Sequence, residues 1–432
     1  MLYYSLNGSA ERVDFQQATI KGQAPDKGLY FPESIPLWKN DFINNLRNLD
    51  KNEIGYEVMQ PYVGNSIPKD ILQEIITDTL SFDMPLKQIN ENIFCLELFH
   101  GPTLAFKDLG ARFLSRCMGY FSKQQQRKIL VLVATSGDTG GAVADGFHHV
   151  EGTDVVILYP SGKVSPVQEK QLTALGGNIH AIEVQGDFDA CQRLVKLAFS
   201  DPELHENVLL TSANSINVAR WLSQQLFYVL SLSKWNEKAP PAFSVPSGNF
   251  GNISSGMLAE RSGLPVNKFI AACNQNDVFT RFLAEGRYEV RPSVQTISNA
   301  MDVGDPSNFK RILELYNNNA ELIKSKVCSY AYSDEQTSET IEKVYDQYKY
   351  ILDPHTAIAY AGMEAWQKSN ANQKGIILGT AHPLKFPQVV EKIINTDIEI
   401  PEKIRTLMKK DKKSILVPDN YVDIKRTLLA LI

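Results

Sequence analysis

Cysteine is scarce and scattered. The five, Cys95, Cys117, Cys191, Cys273 and Cys328, form no CxxC pair, and the seven histidines show no cluster at metal-ligand spacing. Neither a disulfide framework nor a zinc site is indicated. His148-His149 is the one adjacent pair; neighbours on a helix diverge by roughly 100°, so they point to a surface helix end rather than to joint ligands. Long apolar runs are also missing. Nothing approaches the ~20 residues that cross a bilayer, and the opening MLYYSLNGSAERVDF lacks the basic-then-apolar order of a secretion signal, so a reducing cytoplasm is the expected location and no membrane the expected partner. Basic charge is not in excess. The net charge of −5 is spread along the chain, which argues against nucleic acid or an anionic membrane as a partner. Internal repeats, low-complexity tracts, GxGxxG and GxxxxGK[ST] are all absent, which leaves dinucleotide and Walker-type sites without support. No feature of the sequence bears on oligomeric state.

What remains is apolar material for more than one core: 432 residues, 43% of them hydrophobic. Residues 1–92 are polar and turn-rich, with short helical patterns such as IPKDILQEIITDTL. From residue 93 the pattern alternates. KILVLVA, VVILYP, NIHAIEV, NVLLTSA, AFSVP, KFIAACN and GIIL predict strands, and the stretches between them predict helices. SDEQ at 333–336 has capping-box spacing ahead of a long helix ending near Tyr350. The expected fold class is α/β, with parallel sheets flanked by helices. The expected divisions are 1–92, a catalytic region 93–385 of two α/β subdomains, and a helical extension 386–432. A site in such a fold lies beyond the carboxyl ends of the strands.

Four loops there carry chemistry. In VLVATSGDTGGAV, Thr135, Ser136 and Thr139 with free helix-start amides form an anion cradle, or else Asp138 simply caps an ordinary turn. SVPSGNFGN places Gly248, Asn249, Phe250, Gly251 and Asn252 between a strand and a helix, so that several amides converge on one phosphate. TSANSINVARW sets Ser215, Asn217 and Arg220 at a helix start, where they hold an anion or cap the helix. GTAHPLKF puts Thr380 just past a strand, to meet a ring nitrogen or cap the next helix. Ahead of these, HGPTLAFKDLGARF seats Lys107 behind Leu104, Ala105 and Phe106, an apolar wall that lowers an amine's pKa by desolvation. Asp108 either pairs with a cation or closes the turn.

Glu97 followed by Thr103 to Gly110 resembles the lysine motif of serine/threonine dehydratase-type pyridoxal-phosphate enzymes. LELFHGPTLAFKDLG, ATSGDTGGAVA, SANSINVAR, SVPSGNFGN, SNAMDVG and LGTAHPLKF, with GLYFPESIP near the start, together resemble the threonine synthase family across nearly the whole chain. The resemblance implies a tryptophan synthase β-like fold: two three-layer parallel-sheet domains with the cofactor between them, and a smaller N-terminal segment. It implies a lyase of threonine biosynthesis that converts O-phospho-L-homoserine and water to L-threonine and phosphate by γ-elimination and β-addition. Lys107 would carry pyridoxal 5'-phosphate as a Schiff base and move protons. Gly248, Asn249, Phe250, Gly251 and Asn252 would bind the cofactor phosphate, and Thr380 would meet the pyridine nitrogen. Thr135, Ser136, Thr139, Ser215, Asn217 and Arg220 would line the substrate side. Asp138 stands where related enzymes often carry Asn against the cofactor's 3-oxygen; an ionised carboxylate is unfavourable beside that anionic oxygen, so Asp138 is expected to turn away and cap the helix. The rivals are a serine/threonine dehydratase-type lyase, which has no use for a second phosphate cradle, and a non-catalytic sensor of a phosphorylated metabolite.

Overall fold

The computed structural model describes residues 1–125 and 127–431, which form three sheets. Five parallel strands build one, in the order Ser414–Pro418, Ile179–Gln185, Thr153–Pro160, Ile129–Ala134, Leu209–Thr211. Every residue of Ile129–Ala134 and Thr153–Pro160 is buried, as expected for parallel strands covered on both faces. Alternate side chains serve opposite layers. Leu130, Leu132, Val156 and Leu158 cluster with Cys191, Leu194 and Val195 of the helix Phe188–Ala198. Val131, Val133, Val155 and Ile157 belong to the main core with Phe113, Leu114 and Val143.

A six-stranded sheet follows the order Val327–Ala331, Phe269–Cys273, Ala242–Pro246, Gly375–Gly379, Ile93–Glu97, Leu86–Gln88; all neighbours are parallel except the last pair. The third sheet is a small antiparallel one, Val13–Asp14, Leu2–Ser5 and Tyr30–Pro32. Buried polar ties hold this region in place: from the sheet, Tyr3 Oη donates to Tyr62 O at 2.7 Å, and in the helix Phe15–Lys21 that follows Val13–Asp14, Thr19 O accepts from Asn217 Nδ2 at 3.0 Å.

The predicted strands all form. The Ser333/Gln336 capping box is complete and opens the helix Asp334–Tyr348. Two expectations about division need correction. A cut at residue 92 falls inside the antiparallel pair Leu86–Gln88 and Ile93–Glu97, because the polar turn there joins two strands of one sheet. Residues 386–432 are not helical throughout: Ser414–Pro418 is a strand, paired from Ser414 opposite Ala181 to Pro418 opposite Gln185. Its side chains are mostly exposed, so no inward apolar pattern announces it.

The chain crosses from the six-stranded to the five-stranded half just before Lys107. Ile93–Glu97 lies in the first, and the helix Lys107–Ser122 packs beside the helices Asp138–Phe147 and Val218–Ser223 of the second. Glycine permits that packing: a Cβ on Gly146 would come within 3.2 Å of the Ala111 carbonyl.

Candidate active site between the two parallel sheets

Three adjacent strands, Ala242–Pro246, Gly375–Gly379 and Ile93–Glu97, end in the Gly248 loop, in Thr380 and in the segment leading to Lys107. Neighbouring parallel strands lie about 4.8 Å apart, so these features share one rim. Opposite, the adjacent strands Ile129–Ala134 and Leu209–Thr211 end in the loops of Thr135–Thr139 and Ser215–Asn217. Residues expected at the cofactor thus come mainly from one sheet, and residues expected at the substrate come from the other.

Lys107 is the first residue of its helix, and its side chain keeps only 15% of its surface exposed. Leu104, at φ 61°, makes the turn ahead of it, and Leu104 and Ala105 are buried. Phe106 N donates to Thr380 O at 2.9 Å, which ties the lysine turn to the end of the neighbouring strand. The amine sits 4.8 Å from the centre of the Phe106 ring. Burial holds the Lys107 pKa below the ordinary lysine value; Asp138 opposes this, while Lys385 and Arg220 add to it. Asp108 closes the turn: its carboxylate accepts from Thr103 N at 2.9 Å and from the Thr103 hydroxyl. Burial pushes its pKa up to about 6.

The Gly248 loop is built for an anion. Phe250 adopts the left-handed conformation at φ 58°, and the helix Gly251–Arg261 starts directly after it with its first amides free of helical partners. Asn252 Oδ1 accepts from Tyr228 Oη at 2.8 Å, whereas its buried Nδ2 has no partner among the described residues. A cofactor phosphate supplies the acceptor that this amide and those amides lack, so the residues present fit the group. Asn249 is committed to holding the loop in place. Its Nδ2 donates to Ser215 Oγ at 2.6 Å, and its Oδ1 accepts from Ser307 N at 2.6 Å.

On the other rim the expected residues divide. Thr135 Oγ1 accepts from Gly137 N at 3.0 Å and Gly140 N at 2.9 Å, so Thr135 satisfies the helix start. Asn217 caps the helix Val218–Ser223 and reaches back to Thr19 O and Ser212 O. Ser136 and Thr139 are half-buried, and their hydroxyls make no hydrogen bond among the described residues. Ser215 Oγ accepts from Asn249 and keeps its own proton to donate. Arg220 is 3% exposed; one Nη donates to Ala213 O, and its Nε has no partner among the described residues. Burial lowers its pKa to about 10. Thr380 does not cap the following turn, because His382 does, accepting from Leu384 N at 3.1 Å.

The Asp138 expectation is overturned. Its side chain makes no cap, and Thr135 takes that role. Asp138 instead faces Lys107, with Oδ2 3.5 Å from Nζ, while Oδ1 accepts from Lys385 Nζ at 2.8 Å and Gln168 Nε2 at 2.9 Å. The lysines and Gln168 outweigh burial and hold its pKa far below the aspartate range. Lys385 and Gln168 were not foreseen as part of the site. Lys385 has the same signal as Lys107, a lysine among apolar residues after a strand, in the motif that yielded Thr380. Nothing local marks Gln168, whose place depends on the fold.

Comparison with known proteins identifies the family. The pyridoxal-phosphate dependent enzyme family profile matches residues 73–379, flanked by matches to the threonine synthase N terminus over 2–80 and to the threonine synthase C-terminal profile over 356–428. Threonine synthase of Haemophilus influenzae is 42% identical over 405 residues, 93% of each chain. The crystal structure of threonine synthase from Escherichia coli superposes with a TM-score of 0.92 at 38% identity, covering 100% of both chains. The pyridoxal-phosphate-bound threonine synthase from Brucella melitensis does so at 0.93 and 35% identity, covering 100% of this chain and 99% of that one. With family profiles, sequence identity and fold in agreement over its whole length, the chain belongs to the threonine synthase family of pyridoxal-phosphate-dependent enzymes.

Proposed function

We propose that the chain converts O-phospho-L-homoserine and water into L-threonine and inorganic phosphate, with Lys107 as the reactive amine. The observation that carries this is the flanking of one half-buried lysine by two separate sets of anion donors. One is the Gly248–Asn252 loop with the unpartnered Asn252 Nδ2; the other is Arg220 with its free Nε, together with the Ser136 and Thr139 hydroxyls, while Ser215, bonded to Asn249, stands where the two loops meet. A dehydratase that removes a β-hydroxyl needs only the first set. Pyridoxal phosphate, held by that loop and by Lys107, supplies the electron sink that acidifies hydrogens at the substrate's Cα and Cβ.

The substrate's phosphate is carried on Cγ, one carbon too far for simple β-elimination. Protons must therefore leave Cα and then Cβ before the Cγ–O bond breaks; a proton then goes to Cγ, water adds at Cβ, and a proton returns to Cα. Lys107 is the base for these transfers, since burial and two neighbouring cations favour its neutral amine. Arg220, Ser136, Thr139 and Ser215 bind the phosphate and stabilise its charge as it departs. Thr380 presents a neutral hydroxyl to the pyridine nitrogen. Thr135 and Asn217 contribute by holding the two loops rather than by touching substrate. Among the described residues no helix is long and apolar enough to cross a membrane, and a cytoplasmic location is part of the proposal.

The test is phosphate release and threonine formation from phosphohomoserine by the wild-type chain and Lys107→Ala, with ammonia release from serine and threonine measured alongside. Wild type should act on phosphohomoserine and K107A should be inert. Substantial threonine formation by K107A, or wild-type activity confined to serine and threonine, refutes the proposal.

A further inference from the structure

Lys385 is a fully buried lysine that the proposed chemistry does not use. All three of its ammonium hydrogens have acceptors: Asp138 Oδ1 at 2.8 Å, Thr103 O at 2.8 Å and Gln171 Oε1 at 3.1 Å. Gln171 in turn donates to Thr103 O at 3.0 Å, which closes a ring of hydrogen bonds around the charge. Lys385 is thus a fixed cation whose nearest countercharge is Asp138. That carboxylate has two possible lysine partners and is not shared equally. It lies at hydrogen-bond distance from Lys385 and Gln168 through Oδ1, but 3.5 Å from Lys107 through Oδ2, longer than a good N–H···O bond of about 2.7–3.2 Å.

We propose that Lys385 and Gln168 are positioning residues that draw Asp138 toward themselves, so that its ion pair with Lys107 stays long and the carboxylate orients the amine without capturing it in a short hydrogen-bonded pair. This rests on Lys107 being the reactive amine. An amine needs its lone pair to attack a carbonyl or to accept a proton, and a buried carboxylate with no other cation would keep Lys107 as a bound ammonium. With Lys385 beside it, the carboxylate's charge is already matched. The other charges facing this group act in the same sense or are engaged elsewhere: Arg220 lowers the Lys107 pKa, and Asp108 is turned to Thr103.

The experiment measures Lys107 itself. The full chain, freed of cofactor, is labelled with trace acetic anhydride across pH 6–10, and acetylation at Lys107 is read by mass spectrometry. The pH of half-maximal labelling is compared among wild type, K385M, Q168L, D138N and D138N/K385M, with melting curves on the same samples. K385M should raise the midpoint by about one pH unit, which is roughly a tenfold loss of free amine at a fixed lower pH. Q168L removes a donor but no charge and should raise it by about half a unit, roughly threefold. The shift caused by K385M should be larger with Asp138 present than in the D138N background. Equal shifts in the two backgrounds leave only charge repulsion between the lysines and overturn the proposal. Should K385M not fold, Q168L decides alone, and an unmoved midpoint there overturns it. Lys107's own role is checked separately: covalent cofactor attachment that survives in K107A refutes that role and leaves the labelling result intact.

Discussion

Gly248→Ala offers the sharpest check on the phosphate loop. A methyl at this position would sit 2.5 Å from Met301 Cα and 3.0 Å from its carbonyl carbon and oxygen. Non-bonded carbons rest about 3.5–4.0 Å apart, so the loop or the Met301 backbone must move by roughly 1 Å. Backbone conformation is not the obstacle, since Gly248 does not take a positive φ. The obstacle is the SNAMDVG segment packed against it. Overpacking of this kind costs about 1–3 kcal/mol, and a misplacement of about 1 Å at a site costs on the order of a hundredfold in function. Gly251→Ala is the matched control, because its methyl would meet Asn308 Nδ2 at 3.4 Å and Ser215 Cβ at 3.5 Å, ordinary contacts. Titration of the cofactor-free chains with pyridoxal phosphate, followed by absorbance, should show affinity lowered by about 10- to 100-fold in G248A and far less in G251A. Urea unfolding of the same samples separates loop displacement from loss of fold. Cofactor affinity in G248A equal to wild type refutes the placement of the phosphate on this loop.

Two further outcomes follow from the same geometry. Thr135→Val removes the acceptor of Gly137 N and Gly140 N and should cost about 1–2 kcal/mol in urea unfolding with little change in KM; a raised KM with unchanged stability would return Thr135 to the substrate. Asp108 has a folded pKa of about 6, raised by burial, so its contribution to stability is full below about pH 4 and is lost as pH rises through about 6. The stability of wild type relative to Asp108→Asn should therefore fall between pH 4 and 7.5, by on the order of 3 kcal/mol; a flat difference refutes the assignment.

Strands and their loops were legible because their signals are local. A run such as ILVLVA, buried at every position, needs no partner to be recognised, and the small polar residues after it mark the rim. Roles within a loop were legible only in part, since they depend on which hydroxyl or amide reaches the helix start first. Thr135 does so from before the turn, which leaves Asp138 free to face the site. Asn217 reads as an anion ligand or a cap and Asn249 as a ligand; the further ties both make are not local, because their partners Thr19 and Ser307 are distant in sequence. The edge strand Ser414–Pro418 buries only Val417, too little to give it a pattern.

Asp138 shows how a local anomaly finds its physical reason far along the chain. Set against an anionic ring oxygen, an aspartate in place of the asparagine common in related enzymes looks like a defect, and the local remedy was to turn it away. The fold supplies another remedy. Lys385, just past the end of the pyridoxal-phosphate family match, places a buried ammonium 2.8 Å from the carboxylate. Removing one partner of a buried pair costs about 3–5 kcal/mol where the other is left without a countercharge, and Lys107 beside Asp138 lessens that cost on the carboxylate side. Without Lys385, Asp138 has Lys107 as its remaining cation, whereas Lys385 without Asp138 has only the neutral acceptors Thr103 O and Gln171 Oε1. The pair replaces one neutral amide by two charges that cancel, and it brings a second lysine to the edge of the site. The two charges act on Lys107 in opposite senses, Asp138 raising its basicity and Lys385 lowering it, so Lys385 offsets part of what the carboxylate does.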